Sequence, residues 1–104
     1  MPPSRIELLR GFIEQRPADP FPRYALALEY KNAGQLELAW ETFSTLMNSH
    51  GDYVAAYLHA GNTLVALGRV TEARAVFERG LEACTRRGDA HARGEIEGAL
   101  ALLP

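Results

Sequence analysis

The chain carries little of the chemistry that staples or catalyses. One cysteine, Cys84, stands among 104 residues, so no internal disulfide can form, and no Cys/His cluster has zinc-ligand spacing. Lysine occurs once, at Lys31, and the formal charge is −2. A nearly balanced, slightly acidic chain lacks the basic footprint of a phosphate-backbone binder, so nucleic acid is not an expected partner. No apolar run approaches the ~18 residues that span a bilayer, which excludes a transmembrane helix. The start, Met1-Pro2-Pro3-Ser4-Arg5, leads into a stretch broken by Glu7 and Arg10. That is no signal peptide, and the expected location is cytoplasmic. Glycines occur singly between helix-length segments, never as a phosphate-cradling loop. No segment alternates like a strand bounded by turn signals.

What is present is a repeat. Gly34 and Gly68, Ala39 and Ala73, Phe43 and Phe77 are identical pairs, each 34 positions apart. A fixed period of this length marks a helix-turn-helix unit copied in tandem. Such units have no private core and bury their apolar faces against neighbours.

The punctuation divides the chain into six helical segments. Ser4-Arg5-Ile6-Glu7 has the capping-box pattern, and its helix carries Ile6, Leu9 and Ile13 on one stripe, with Leu8 and Phe12 beside it, up to Pro17. Asp19-Pro20 pairs an N-cap with proline at the first helical position, and this second helix runs to Gly34. A third helix is expected from Leu36 to Asn48. Asp52 is expected to cap a fourth that ends at Gly68. The fifth spans Val70 to Arg87 before Gly88, and Asp89 caps a sixth that reaches Leu103. Links of about two to five residues force consecutive helices to pack antiparallel.

The segments Pro20 to Asn48 and Asp52 to Arg87 resemble the tetratricopeptide repeat. Leu26, Ala27, Tyr30, Gly34, Ala39 and Phe43 fill the motif in the first copy. Tyr57, Ala60, Gly61, Leu64, Gly68, Ala73 and Phe77 fill it in the second. Small residues let helix backbones approach, and the two phenylalanines fill the wedge between successive hairpins. Arg23 stands where the motif opens on an aromatic, Leu46 stands where it has a small residue, and the terminal proline is missing near Cys84-Thr85-Arg86-Arg87. The 35-residue helical repeat that reads RNA is a competitor, disfavoured by the period of 34 and the absence of positive charge.

The resemblance implies an all-α superhelix of antiparallel helix pairs in a single domain, residues 1–104. Residues 4–16 form a half-repeat helix, 20–50 and 52–87 two full repeats, and 89–103 a capping helix. It also implies a non-catalytic protein–protein interaction module whose first-type helices line a concave groove. Phe21, Tyr24, Leu28 and Lys31 project there from the second helix, and Leu58, His59, Asn62 and Val65 from the fourth. Ala55 occupies the place that matches Phe21, and Arg93 and Ile96 are expected to continue the row. The groove is more apolar than a solvated face, so either a protein or peptide partner or the chain's own ends must cover it. A carboxylate clamp of Lys and Asn is not present, since Tyr24, Leu28 and His59 hold the corresponding places.

The array begins with a second-type helix and ends with a first-type helix, so a homo-oligomer made through these ends or through the groove is an alternative. Gly94 and Gly98 would permit close approach at such a contact, although relief of crowding inside the monomer is the plainer reading. A second alternative is a regulatory subunit with a reactive Cys84, its thiol acidified by Arg86 and Arg87. Otherwise Cys84 fills a half-buried gap. No catalytic residue, metal or cofactor is expected. His50 and Asp52 sit in a turn where Asp52 is already assigned as a cap, and no nucleophile or carboxylate pair stands near His59 or His91 at a diagnostic spacing. Arg86 and Arg87 suit a helix C-terminus, and Trp40 is expected to be partly buried between repeats.

Overall fold

A computed structural model describes residues 3–104. Six helices follow one another: α1 (Arg5–Gln15), α2 (Pro20–Asn32), α3 (Leu36–Ser49), α4 (Ala55–Ala66), α5 (Val70–Arg87) and α6 (Ala90–Ala101). No strand occurs among the described residues. Side-chain oxygens open three of the helices as expected. Ser4 accepts from the Glu7 amide, Asp19 from Phe21, and Asp89 from Ala92.

Gly34 and Gly68 share a left-handed φ of 77°. That geometry lets the amides of Gln35 and Arg69 reach back to the carbonyls of Tyr30 and Leu64, both at 2.9 Å. The last turns of α2 and α4 are thereby closed by the same bond pattern. Each helix then reverses onto the next within two or three residues.

The expected cap at Asp52 is corrected. α4 starts at Ala55 behind a tight turn, in which Ala56 and Tyr57 donate to the carbonyls of Tyr53 and Val54. Its N-cap is Val54, with no side-chain bond. The Asp52 carboxylate is instead drawn to the Arg86 guanidinium, 2.8 Å away. The preceding turn is held by Tyr57, whose hydroxyl donates to the Gly51 carbonyl at 2.6 Å.

Every helix packs on its chain neighbours, and α2–α4 and α4–α6 touch as well. The backbones of the other alternate set, α1, α3 and α5, stay farther apart, and α5 reaches α3 only through long side chains such as Arg79 to Asn48. Closer spacing in one layer than in the other curves the stack, so α2, α4 and α6 line its inner face. The wedges sit between the layers. Phe43 and Phe77 are both 0% exposed, as are Ala27, Ala39 and Ala73. The Phe43 ring lies 6.5 Å from Tyr24 on α2 and stacks at 6.3 Å and 7° on His59 of α4. The Phe77 ring occupies the space where a Cβ on Gly61 would project, within 2.5 and 2.6 Å of its Cζ and Cδ1.

The ends differ from the middle. Leu9 stands 34 residues before Phe43 and is buried on α2, while Leu8 and Phe12 on the far side of α1 are about half exposed. On α6 the buried face runs through Ala92, Ile96, Ala99 and Leu100. These lie 36, not 34, residues after Ala56, Ala60, Thr63 and Leu64. The cause is the junction. α5 runs a full turn past the point matching the end of α3, and the short Gly88-Asp89 link replaces residues 50–54. A two-residue slip rotates a helix by about 200°. Ile96 therefore goes into the core against Gly80 and not into the groove. Gly94 and Gly98 have no neighbour within 4 Å of where a Cβ would stand, so they relieve no crowding in the monomer.

The wedge yields a stability prediction. Gly61→Ala must displace the Phe77 ring and should cost about 1–3 kcal/mol in urea unfolding. Ala27→Gly at the matching place should cost about 1–2 kcal/mol, the helix penalty plus the loss of one buried methyl. Pairing Gly61→Ala with Phe77→Leu should cost clearly less than the two single changes added together. Strict additivity would show that the two positions are not in contact.

Candidate protein-binding groove

The inner face has two unlike halves. Between α2 and α4 it is filled by rings. Tyr24 lies 5.3 Å from Tyr53 and edge-on to His59 at 6.0 Å, above the Phe43 wedge. Leu28 is half-buried beside them, and Phe21 at the start of α2 is 60% exposed. Between α4 and α6 the face opens into a cavity of about 640 Å³. Leu58, Asn62 and Val65 line one wall, Glu95, Gly98, Ala99 and Leu102 the other, and Leu103 and Pro104 close one edge. The chain end is tied back by Arg74, whose guanidinium donates to the Pro104 carbonyl at 3.1 Å. Even so, Val65 remains 39% and Leu102 86% exposed. Residues 102–104 thus border this half without covering it.

Of the residues expected in the groove, the structure brings together Leu58, Asn62 and Val65 at the cavity and Tyr24, Leu28 and His59 in the ring cluster. Lys31 is half-buried close enough to act electrostatically on His59. Arg93 is a correction: the slip of α6 turns it outward, where it pairs with Glu97 at 3.3 Å. Glu95, about 200° around the helix, takes the groove position. Tyr53, Glu95 and Leu102 were not foreseen. Tyr53 was hidden by the mistaken cap at Asp52, and the other two by a register that the repeat alone does not carry.

The electrostatics follow from the packing. Burial, then the nearby Lys31 ammonium, hold the His59 imidazole below its ordinary value of 6.5, with Glu95 pulling the other way. Its Nδ1 is buried without a hydrogen-bond partner, which also favours the neutral ring. Burial lowers Lys31 and raises the Tyr24 and Tyr53 phenols.

The candidates for chemistry have structural employment. His50 lies with Nε2 3.1 Å from the Ala18 carbonyl and Nδ1 3.1 Å from the Ser49 hydroxyl, joining the α3–α4 turn to the start of α2. Cys84 is 1% exposed, and burial followed by Asp89 pushes its thiol up, with Arg93 opposing. The alternative of a thiol acidified by Arg86 and Arg87 is overturned, since burial raises Cys84 and the Arg86 guanidinium is turned onto Asp52. Trp40 is half-buried against the core, with Arg69 5.8 Å from the ring centre. Among the described residues no His, Cys, Asp and Glu cluster could hold a metal, and no helix is long and apolar enough to cross a membrane.

Two measurements follow. A neutral, desolvated His59 binds fewer protons folded than unfolded. Its contribution is therefore full above pH 6.5 and declines as pH falls below that value toward the folded midpoint. Unfolding free energy should rise with pH across that window, and His59→Phe should flatten the slope. A proton-NMR midpoint for His59 at or above 6.5 would contradict this. Native Cys84 should react with a disulfide reagent far more slowly than the unfolded chain does, because the thiolate is both scarce and covered.

Comparison with solved structures places this architecture. A tetratricopeptide repeat domain protein from Salinibacter ruber, seen in a crystal, superposes with a TM-score of 0.76 and 31% identity over 80% of this chain and 93% of that one. A solution structure of a Salinibacter ruber tetratricopeptide repeat domain protein gives the same score and identity, over 80% and 84%. A Bordetella parapertussis protein solved in solution reaches a TM-score of 0.81 at 25% identity, over 96% and 87%. No protein-family profile and no curated protein matches the sequence. The 34-residue register, the ring wedges and a 31% identical relative spanned almost end to end converge, and the chain belongs to the tetratricopeptide repeat family.

Proposed function

We propose that the chain is a non-catalytic protein–protein interaction module that takes a peptide or protein segment into the open half of its inner face. The observation that carries this reading is the cavity between α4 and α6, bordered by Leu58, Val65 and the 86% exposed Leu102. Apolar side chains left in water around a concave surface favour an occupant. Asn62 offers both a donor and an acceptor to an extended backbone, and Glu95 sets a negative edge. Catalysis receives no support from side-chain placement, since His59, His50 and Cys84 are each committed to packing or to turns.

Self-association is the second reading, favoured by one feature. On α1, Phe12 is 49% exposed where its counterpart Leu46 is 0% exposed. A second copy could cover that end.

One experiment separates the two. Val65→Glu and Leu58→Glu should each cut capture of partners from source-cell extract by about tenfold or more, as loss of a central apolar anchor does. Phe12→Glu should leave capture intact. Light scattering across concentrations should return the monomer mass for wild type. A dimer mass lost in Phe12→Glu would favour self-association, and undiminished capture by both groove variants would exclude the groove.

A further inference from the structure

The two halves of the inner face can be compared place by place. Between α2 and α4 three rings fill the space, with Tyr53 and His59 lying 5.3 and 6.0 Å from Tyr24. Between α4 and α6 none of the three recurs. A spacing of 34 puts Leu58 in the place of Tyr24. The slip of α6 makes the spacing 36 there, so Glu95 takes the place of His59. Tyr53 has no counterpart, because the Gly88-Asp89 link replaces the turn that carries it. Three rings in one half thus correspond to a leucine, a carboxylate and a gap in the other.

No other side chain fills that gap. Gly98 meets no atom within 4 Å of where its Cβ would stand, and Val65 is 39% exposed. The open space is about 640 Å³, within the range of pockets that enclose small ligands. Its charge is one-sided. Glu95 is the only charged side chain in the lining. Among the described residues its ion-pair neighbour is His91, 3.4 Å away and 89% exposed, and that pairing holds only while the imidazole is protonated. The nearby cations are directed elsewhere, Arg93 onto Glu97 and Arg74 onto the Pro104 carbonyl. Lys31 stands on α2 and is not part of the lining.

Taking the groove as the docking site proposed above, we infer that its occupant is a partner segment carrying an aromatic side chain next to a lysine or arginine. The ring enters between Leu58, Val65 and Ala99 and supplies the area that Tyr24 and Tyr53 supply in the other half. An aliphatic side chain would leave part of the gap between Leu58 and Gly98 unfilled, and its walls would lose those contacts. The adjacent cation faces the Glu95 carboxylate, which otherwise meets only water and His91.

The test uses capped dipeptides as probes and methyl NMR of the whole protein as the readout. Acetyl-Phe-Lys-amide at millimolar concentration should give saturable shifts centred on Leu58, Val65 and Ala99. Acetyl-Leu-Lys-amide, with less apolar area, should bind about threefold more weakly. Acetyl-Phe-Glu-amide should bind up to about fivefold more weakly, the reach of an exposed ion pair. Glu95→Gln, a change at an exposed position, should erase the difference between the lysine and glutamate probes. Gly98→Leu adds bulk where no atom stands and replaces a helix glycine by a better helix former. It should keep or raise the unfolding temperature while abolishing binding. Equal binding of the leucine probe at the same residues would overturn the aromatic anchor and leave the groove itself standing. A lysine preference that is missing in wild type, or that survives Glu95→Gln, would overturn the charge pairing. Saturation by none of the probes at Leu58 and Val65 would overturn both this occupant and the groove.

Discussion

A phenylalanine ring seated in the space of a missing Cβ holds the second hairpin together, and the rest of the stack is arranged around such seats. Gly61 gives up helix propensity so that Phe77 can lie directly on the α4 backbone. The trade is favourable because a fully buried aromatic ring brings far more apolar area than one helix position costs. Gly80 makes a similar concession one turn along α5, where Tyr57 and Ile96 crowd its place from two sides. The small residues thus fix how near the helices come, and the rings fix the angle at which they separate. Curvature follows, and with it an inner face on which three helices can present side chains to one occupant.

Identity at a 34-residue spacing, with local capping signals, made this much readable from the residues alone. Gly34 and Gly68 end their helices by the same bonds, Asp19 and Asp89 open theirs, and Phe43 and Phe77 lie in the wedges. What the repeat could not carry was whatever breaks it. Asp52 has the residue type and position of a cap, yet an arginine 34 residues ahead competes for its carboxylate and wins. The helix begins two residues later than an Asp52 cap would start it, and Tyr53 joins the ring cluster. The longer α5 likewise rotates α6, exchanging Arg93 for Glu95 at the groove and burying Ile96. A periodic pattern predicts faces only as far as the period holds, and here it holds to the end of α5.

The ring cluster explains why the two halves of the inner face behave differently. Tyr24, Tyr53 and His59 fill the α2–α4 half because each packs over a wedge that leaves them room only on that side. Between α4 and α6 no aromatic is available, and Leu58, Ala99 and Gly98 are too small to meet across the gap. Polarity follows the same division. The filled half contains a buried, neutral imidazole beside a partly desolvated ammonium, and the open half ends on a carboxylate.

One matching pair of places is filled differently in the two hairpins. The second pairs a tyrosine with a glycine, Tyr57 with Gly80; the first pairs an arginine with a leucine, Arg23 with Leu46. Leu46 and Tyr57 are each almost wholly buried, so both solutions fill the space between the helices. A core requirement alone would be indifferent between the two, because the apolar atoms below are covered in either case. The difference falls at the surface, where the first hairpin carries the charged, half-buried Arg23 and the second a buried ring, while the packing beneath stays intact.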